Sequence, residues 1–310
     1  MQERIIWIDN LRVIGILAVI LGHISSPLGN FIYSWHMPLF FLLAGFFLKH
    51  ELSTKEFIVK DFTRLIIPYF IFAILALIIE TIKRAALNRE GLDYLYELQG
   101  IFIWMDYPAL MNTYGFVLWF LPSLFFSRLI IFFLNKYISS LLVQSTIVLI
   151  LFIFSIRINI ILGIDNALNA VLFVFIGSIF YKFYQNNKIL YLLPFILLGL
   201  IIFFGIPSLD MASKSYENIL INIIYALSII YVLIIILKKI NYTNDLLGFW
   251  ARNTMLLFII HPYTNNISNI IVNKLYFGDW YLNLLVSLVL LQAILYIKGK
   301  FTNKGIFKYV

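Results

Sequence analysis

The chain has 310 residues, 62% apolar and only 12% charged, with a net charge of +8. A soluble domain is nearer half apolar and a quarter charged, so this chain cannot clothe itself in a water-facing surface, and its solvent must be largely lipid. Long unbroken apolar runs, such as 141–156 and 219–237, exclude a barrel of alternating strands, and the absence of cysteine excludes disulfides and thiolate catalysis.

At about 20 residues per crossing, the runs predict an all-α, polytopic integral membrane protein of about ten transmembrane helices. They fall near 5–24, 31–48, 65–83, 116–134, 138–156, 161–181, 189–207, 217–237, 246–266 and 281–298, in a single domain spanning 1–310. Pro38, Pro68, Pro122 and Pro194 fall near helix starts, where a missing N–H costs little. Pro262 comes late in the ninth segment and predicts a kink or a helix end. The first segment lacks a small-residue cleavage site and reads as a retained helix.

The first span, "WIDNLRVIGILAVILGHI", carries Asp9, Arg12 and His23. From Arg12 to His23 is eleven steps of about 100°, within about 20° of three full turns, so both side chains share a face some ~16 Å apart. Asp9 is three residues before Arg12 and joins that face. A stripe of ionisable groups must face the bundle interior or a wet cavity. The second segment opens with "YSWHMPLFFLLAGFF", which brings His36 to the same membrane face as His23. Two histidines with no third ligand nearby do not make a metal site. The loop "VKDFTRLIIPY" then sets Lys60 and Arg64 beside a helix N-terminus, a place suited to an anion.

The connection 84–115 mixes Glu90, Asp93, Glu97 and Asp106 with five aromatic residues between Tyr94 and Tyr107. It reads as an amphipathic segment lying in the outer interface with its aromatics as anchors, in preference to an extracytoplasmic element that touches a polar acceptor. Basic residues cluster after the even-numbered spans (Lys55, Lys60, Arg64, Arg128, Lys136, Lys182, Lys238, Lys239, Arg252) and at both ends, with Arg4, Lys49, Lys188, Lys298, Lys300, Lys304 and Lys308 adding to that side. Fewer (Lys83, Arg84, Arg89, Arg157, Lys214, Lys274) follow the odd ones. This places both termini in the cytoplasm and assigns the positive charge to topology rather than to nucleic acid.

Five stretches in order resemble the membrane-bound acyltransferase 3 family, whose members O-acylate surface glycans. They are "WIDNLRVIGILAVILGHI" (the Arg-x10-His signature), "YSWHMPLFFLLAGFFL", "RLIIPY", "LWFLPSLF" around Trp119, and "ARNTMLLFIIHPY". The resemblance implies a multi-pass cell-membrane (plasma or inner) enzyme that uses acyl-CoA, acetyl-CoA above all, as donor and no metal. The acceptor it implies is a hydroxyl of a lipid-linked or exported polysaccharide. On that likeness His23 is the general base or a transient acyl carrier, Arg12 orients the site, and Asp9 pairs with Arg12. Arg64 and Lys60 attract CoA phosphates; the first arginine of the family's Arg-x-x-Arg is Asp61 here, which shifts that contact toward Lys60. His36, Trp119, Asn253 and His261 are candidates for the substrate cavity. Relatives often carry a fused extracytoplasmic domain; with none in this chain, transfer is expected of the membrane part itself. The alternative is a polysaccharide or small-molecule transporter or flippase; against it, the Arg/His stripe has no counterpart in the second half.

Overall fold

The computed structural model describes residues 5–48, 51–183, 192–275 and 278–300. Arg4, Lys49, Lys188, Lys304 and Lys308 lie outside the described residues. In chain order the helices are α1 (Ile6–Gly22), α2 (Gly29–Tyr33), α3 (His36–Phe46), α4 (Thr54–Asp61), α5 (Ile67–Ala86), α6 (Tyr94–Gln99), α7 (Tyr107–Leu110) and α8 (Phe120–Tyr137). Then come α9 (Leu141–Ser155), α10 (Ile164–Phe183), α11 (Leu193–Phe204), α12 (Ile219–Ile240), α13 (Asp245–Arg252), α14 (Thr254–Lys274) and α15 (Trp280–Lys300). A two-strand hairpin, β1 (Leu209–Asp210) and β2 (Ser215–Tyr216), lies between α11 and α12.

Five helical stretches are long and apolar enough to cross a membrane: Thr54–Ala86, Tyr114–Tyr137, Ile161–Phe180, Ile219–Ile240 and Trp280–Lys300. Helix α9 and the stretch Pro194–Phe203 are apolar but shorter. The expected count of ten is not reached on these terms. Helix α1 has 17 residues, about 25 Å at 1.5 Å each, against a hydrocarbon core of about 30 Å. The second expected span is split at Ser34 and Trp35 into α2 and α3.

The ninth expected span is also redrawn. Asn253 separates α13 from α14, and α14 runs on through Pro262 to Lys274 rather than ending there. The connection 84–115 folds into α6 and α7, capped by Asp93 and Asp106, with Tyr94, Leu95, Tyr96, Phe102, Ile103 and Trp104 exposed. Burial holds the Asp106 carboxyl above its usual range, and the nearby Asp165 charge adds to the shift.

Helix α10 is the hub, packed on α3, α8 and α9, while α1 packs on α12, α13 and α14. The α3–α10 crossing is possible only because two positions lack a side chain. A Cβ at Gly45 would stand 1.9 Å from the Val174 carbonyl oxygen, and one at Gly177 2.0 Å from that of Leu42. Small residues permit such backbone approach where helices pack in lipid. Gly45→Ala is therefore expected to cost about 3 kcal/mol or more, the upper end for overpacking, because the obstacle is backbone. A loss of thermal stability in detergent checks it; an unchanged midpoint contradicts the close crossing.

A π-helical turn, Phe62–Ile66, joins α4 to α5 and carries Arg64. Such wide turns insert an extra residue into a helix and re-aim the side chains on it. Ser53 starts this long helix with a reciprocal capping box to Glu56.

Candidate active site

Two cavities open at opposite ends of α1 and α14. The first, about 240 Å³, is lined by Arg12, Arg64, Arg128 and Arg252, with Asp61 among them and Phe40, Phe120 and Phe258 on its apolar wall. Four guanidinium groups around one carboxylate leave the cavity strongly positive. Arg128 is fully engaged: its Nε donates to Asp61 Oδ2 at 2.6 Å, one terminal nitrogen to Asp61 Oδ1 at 3.4 Å, and the other to the Ala44 carbonyl. Arg12 donates to Asp9 Oδ1 at 3.4 Å and lies 4.8 Å over the Phe47 ring. Among the described residues, the side chains of Arg64 and Arg252 make no hydrogen bond and no ion pair. They are the guanidinium groups with donors to spare for an anion.

The second cavity, about 300 Å³, is lined by His23, Tyr114, Phe116 and Trp280 together with Asn265, Asn266, Asn269, Asn283 and Asp279. Amides offer donors and acceptors side by side, which matches hydroxyl groups that need both, and aromatic faces suit the apolar face of a sugar ring. No lysine or arginine is among the lining residues. Asn265 is also structural: its Nδ2 donates to the Ile20 carbonyl at 2.9 Å and its Oδ1 accepts from Ser287 at 2.7 Å, tying α14 to α1 and α15. Lys83, which reaches Tyr114 at 3.4 Å, is paired with Glu80.

His23 stands at the inner wall of this cavity. Its Nδ1 is 2.9 Å from the Val19 carbonyl oxygen and 3.3 Å from Nε2 of His261, which is fully buried. Aromatic rings separate the two cavities. Phe258 lies 5.9 Å from the His261 ring and 5.1 Å from Phe120, which lies 6.2 Å from Phe40.

Arg12 and Arg64 line the positive cavity, Asp9 is paired with Arg12, and His23 lines the amide cavity. Lys60 is exposed on α4 and lines neither cavity; the position expected to shift the anion contact to it, Asp61, instead holds Arg128, so a guanidinium arrives there from α8. Asn253 is turned away, its Oδ1 accepting from Lys298 at 2.7 Å and its Nδ2 donating to the Phe249 carbonyl. Trp119 is buried against Phe41 and Phe120, and His36 is buried beneath Tyr33 with its Nδ1 on the Ile32 carbonyl. Neither lines either of these two cavities. Sequence reasoning passed over Arg128, Arg252 and the asparagines of α14. A signal existed for Arg128, an ionisable residue in the middle of an apolar span. Among the described residues no three His, Cys, Asp or Glu side chains are grouped to hold a metal ion.

Residues 5–298 match a family model described as an acyltransferase domain. No curated protein and no solved structure matches the chain.

Proposed function

The chain belongs to the acyltransferase 3 family, and from that premise we propose that it is an integral membrane O-acyltransferase. It takes an acyl group, acetyl in this reading, from acyl-CoA in the cytoplasm and passes it to a hydroxyl of a surface or exported glycan. The protein sits in the cell membrane with both termini cytoplasmic, and α1, α3, α9, α11 and α14 complete a bundle of about ten crossings. The single observation that carries the reading is the pair of unlike cavities at the two ends of α1: one of arginines, one of amides and His23.

CoA carries several phosphate charges, and a guanidinium binds phosphate through paired, charge-assisted hydrogen bonds. Arg64 and Arg252 would hold those phosphates, with Arg12 and Arg128 adding field. The thioester end then points along α1 toward the Phe40–Phe120–Phe258 layer, which must part for the carbonyl to reach His23. At His23 the acceptor O–H bond breaks as Nε2 takes the proton, the oxygen attacks the carbonyl carbon, and the C–S bond breaks. The imidazolium returns its proton to the CoA thiolate, so thioester and alcohol become ester and free thiol. A neutral imidazole suits this exchange near neutral pH. The acceptor is an uncharged sugar, because the amide cavity holds Asp279 and offers an anionic sugar no cation.

The test is thermal unfolding of the detergent-purified protein with acetyl-CoA or CoA, followed by acetyl transfer to neutral glycosides and the matching uronides. CoA is expected to stabilise the protein, and Arg252→Ala to weaken CoA binding about tenfold or more, since a hydrogen bond to a charged group contributes about 1.5–3 kcal/mol. Removing Arg252 strands no buried acid, so the fold is spared. Absence of any CoA effect would favour the transporter reading; equal transfer to uronides would remove the claim about acceptor charge.

A further inference from the structure

Helix α14 contains Pro262 without ending at it. In a regular helix residue 262 donates its N–H to the carbonyl four residues back, that of Phe258. Proline has no N–H, so the Phe258 oxygen is left for another donor. Nδ1 of the preceding residue, His261, fills the place at 2.7 Å. A carbonyl can only accept, so the proton of His261 is on Nδ1 and the lone pair is on Nε2. That lone pair faces Nδ1 of His23 at 3.3 Å, with the ring centroids 4.9 Å apart and the planes at 61°. The same Nδ1 of His23 lies 2.9 Å from the Val19 carbonyl oxygen. Two acceptors thus converge on one nitrogen. Protonating His23 on Nε2 instead would set its Nδ1 lone pair against both of them.

We propose that Pro262 and His261 form a positioning device: the proline frees a carbonyl, the carbonyl orients His261, and His261 holds His23 as the Nδ1–H tautomer with Nε2 as its basic nitrogen. His261 is a positioning residue and touches no substrate; it is buried behind His23, which lines the amide cavity. The catalytic consequence rests on His23 acting as base. The tautomer itself does not. When Nε2 takes a proton, the Nδ1–H keeps both of its acceptors, so no new bond has to form behind the ring. The sequence "HPY" is thereby given a physical reason for its order: the histidine must immediately precede the proline to reach the freed carbonyl one turn back.

Nitrogen-15 NMR of histidine-labelled protein, with His23 assigned by its loss in His23→Gln, reads the tautomer directly. The wild-type signal is expected to report Nδ1–H. His261→Phe removes the acceptor and is expected to give a tautomer mixture and a kcat about tenfold lower with the KM for acyl-CoA little changed, less than the ~10⁴ of a wholly misplaced tautomer because Val19 remains. His261→Gln rescues both, since its amide donates to the Phe258 oxygen and accepts from His23. Pro262→Ala restores a competing N–H to Phe258 and moves the His23 signal toward the mixture. A wild-type His23 protonated on Nε2, or a tautomer and kcat unmoved in His261→Phe and Pro262→Ala alike, overturns the proposal. If wild-type protein transfers no acyl group, the acyltransferase reading fails while the NMR result still decides the tautomer.

Discussion

Replacing His23 with alanine is expected to lower acyl transfer by about 10²- to 10⁴-fold, the range for a lost general base, while the protein folds and inserts. The two halves of that expectation have separate causes. His23 is half-buried at the end of α1, and its side chain touches the bundle through the Val19 carbonyl, His261 and the tilted rings of Phe116 and Tyr33. Removing it leaves the His261 lone pair facing a cavity that opens outward, so the stability cost is small. The chemistry has no substitute in place, because His36 is buried with its Nδ1 on the Ile32 carbonyl and the His261 lone pair is set back from the cavity by the width of the missing imidazole. Acetylation of cell-surface glycan by a well-expressed His23→Ala protein, read by mass spectrometry, is the measurement. Near wild-type acetylation removes His23 from the reaction.

Arg128→Ala is expected to cost as much stability as the close helix crossing at Gly45 does when it is overpacked. Asp61 and Arg128 are joined in a two-pronged ion pair, with side-chain exposures of 4% and 12%. Breaking a buried pair from one side typically costs about 3–5 kcal/mol, because the remaining charge is left desolvated. Here the stranded carboxylate would still lie in the cavity of Arg12, Arg64 and Arg252, which softens the loss toward the lower end. Asp61→Asn with Arg128→Leu removes both charges and is expected to recover much of the stability while weakening CoA binding. Thermal unfolding of the two single variants and the double variant forms a cycle. Additive losses would mean that the pair does not hold α8 to the α4–α5 junction.

The stripe of Asp9, Arg12 and His23 was readable because helical period alone puts these residues on one face, and α1 does present Arg12 to one cavity and His23 to the other. Lys60 lies on α4, exposed and off both cavities; residue type and nearness to Arg64 do not reveal that the π-helical turn at Phe62–Ile66 carries Arg64 to the positive cavity and leaves Lys60 on the preceding helix. Asn253 looked like a polar group in a membrane segment, hence a cavity residue. It is the junction between α13 and α14, held by Lys298 45 residues away in sequence.

Composition and hydrophobic run length determined by themselves that this is a helical membrane protein, because the cost of exposing apolar surface to water is a sum over residues and needs no partner. The order of five short motifs determined the family. Tertiary structure alone decided that Arg128 pairs with Asp61, that Arg252 joins the positive cavity, and that His261 backs His23 across 238 residues of chain. Each of these depends on which faces of separate helices meet. That is set by packing at points such as Gly45 on Val174, where backbone meets backbone and the period of a single helix carries no information.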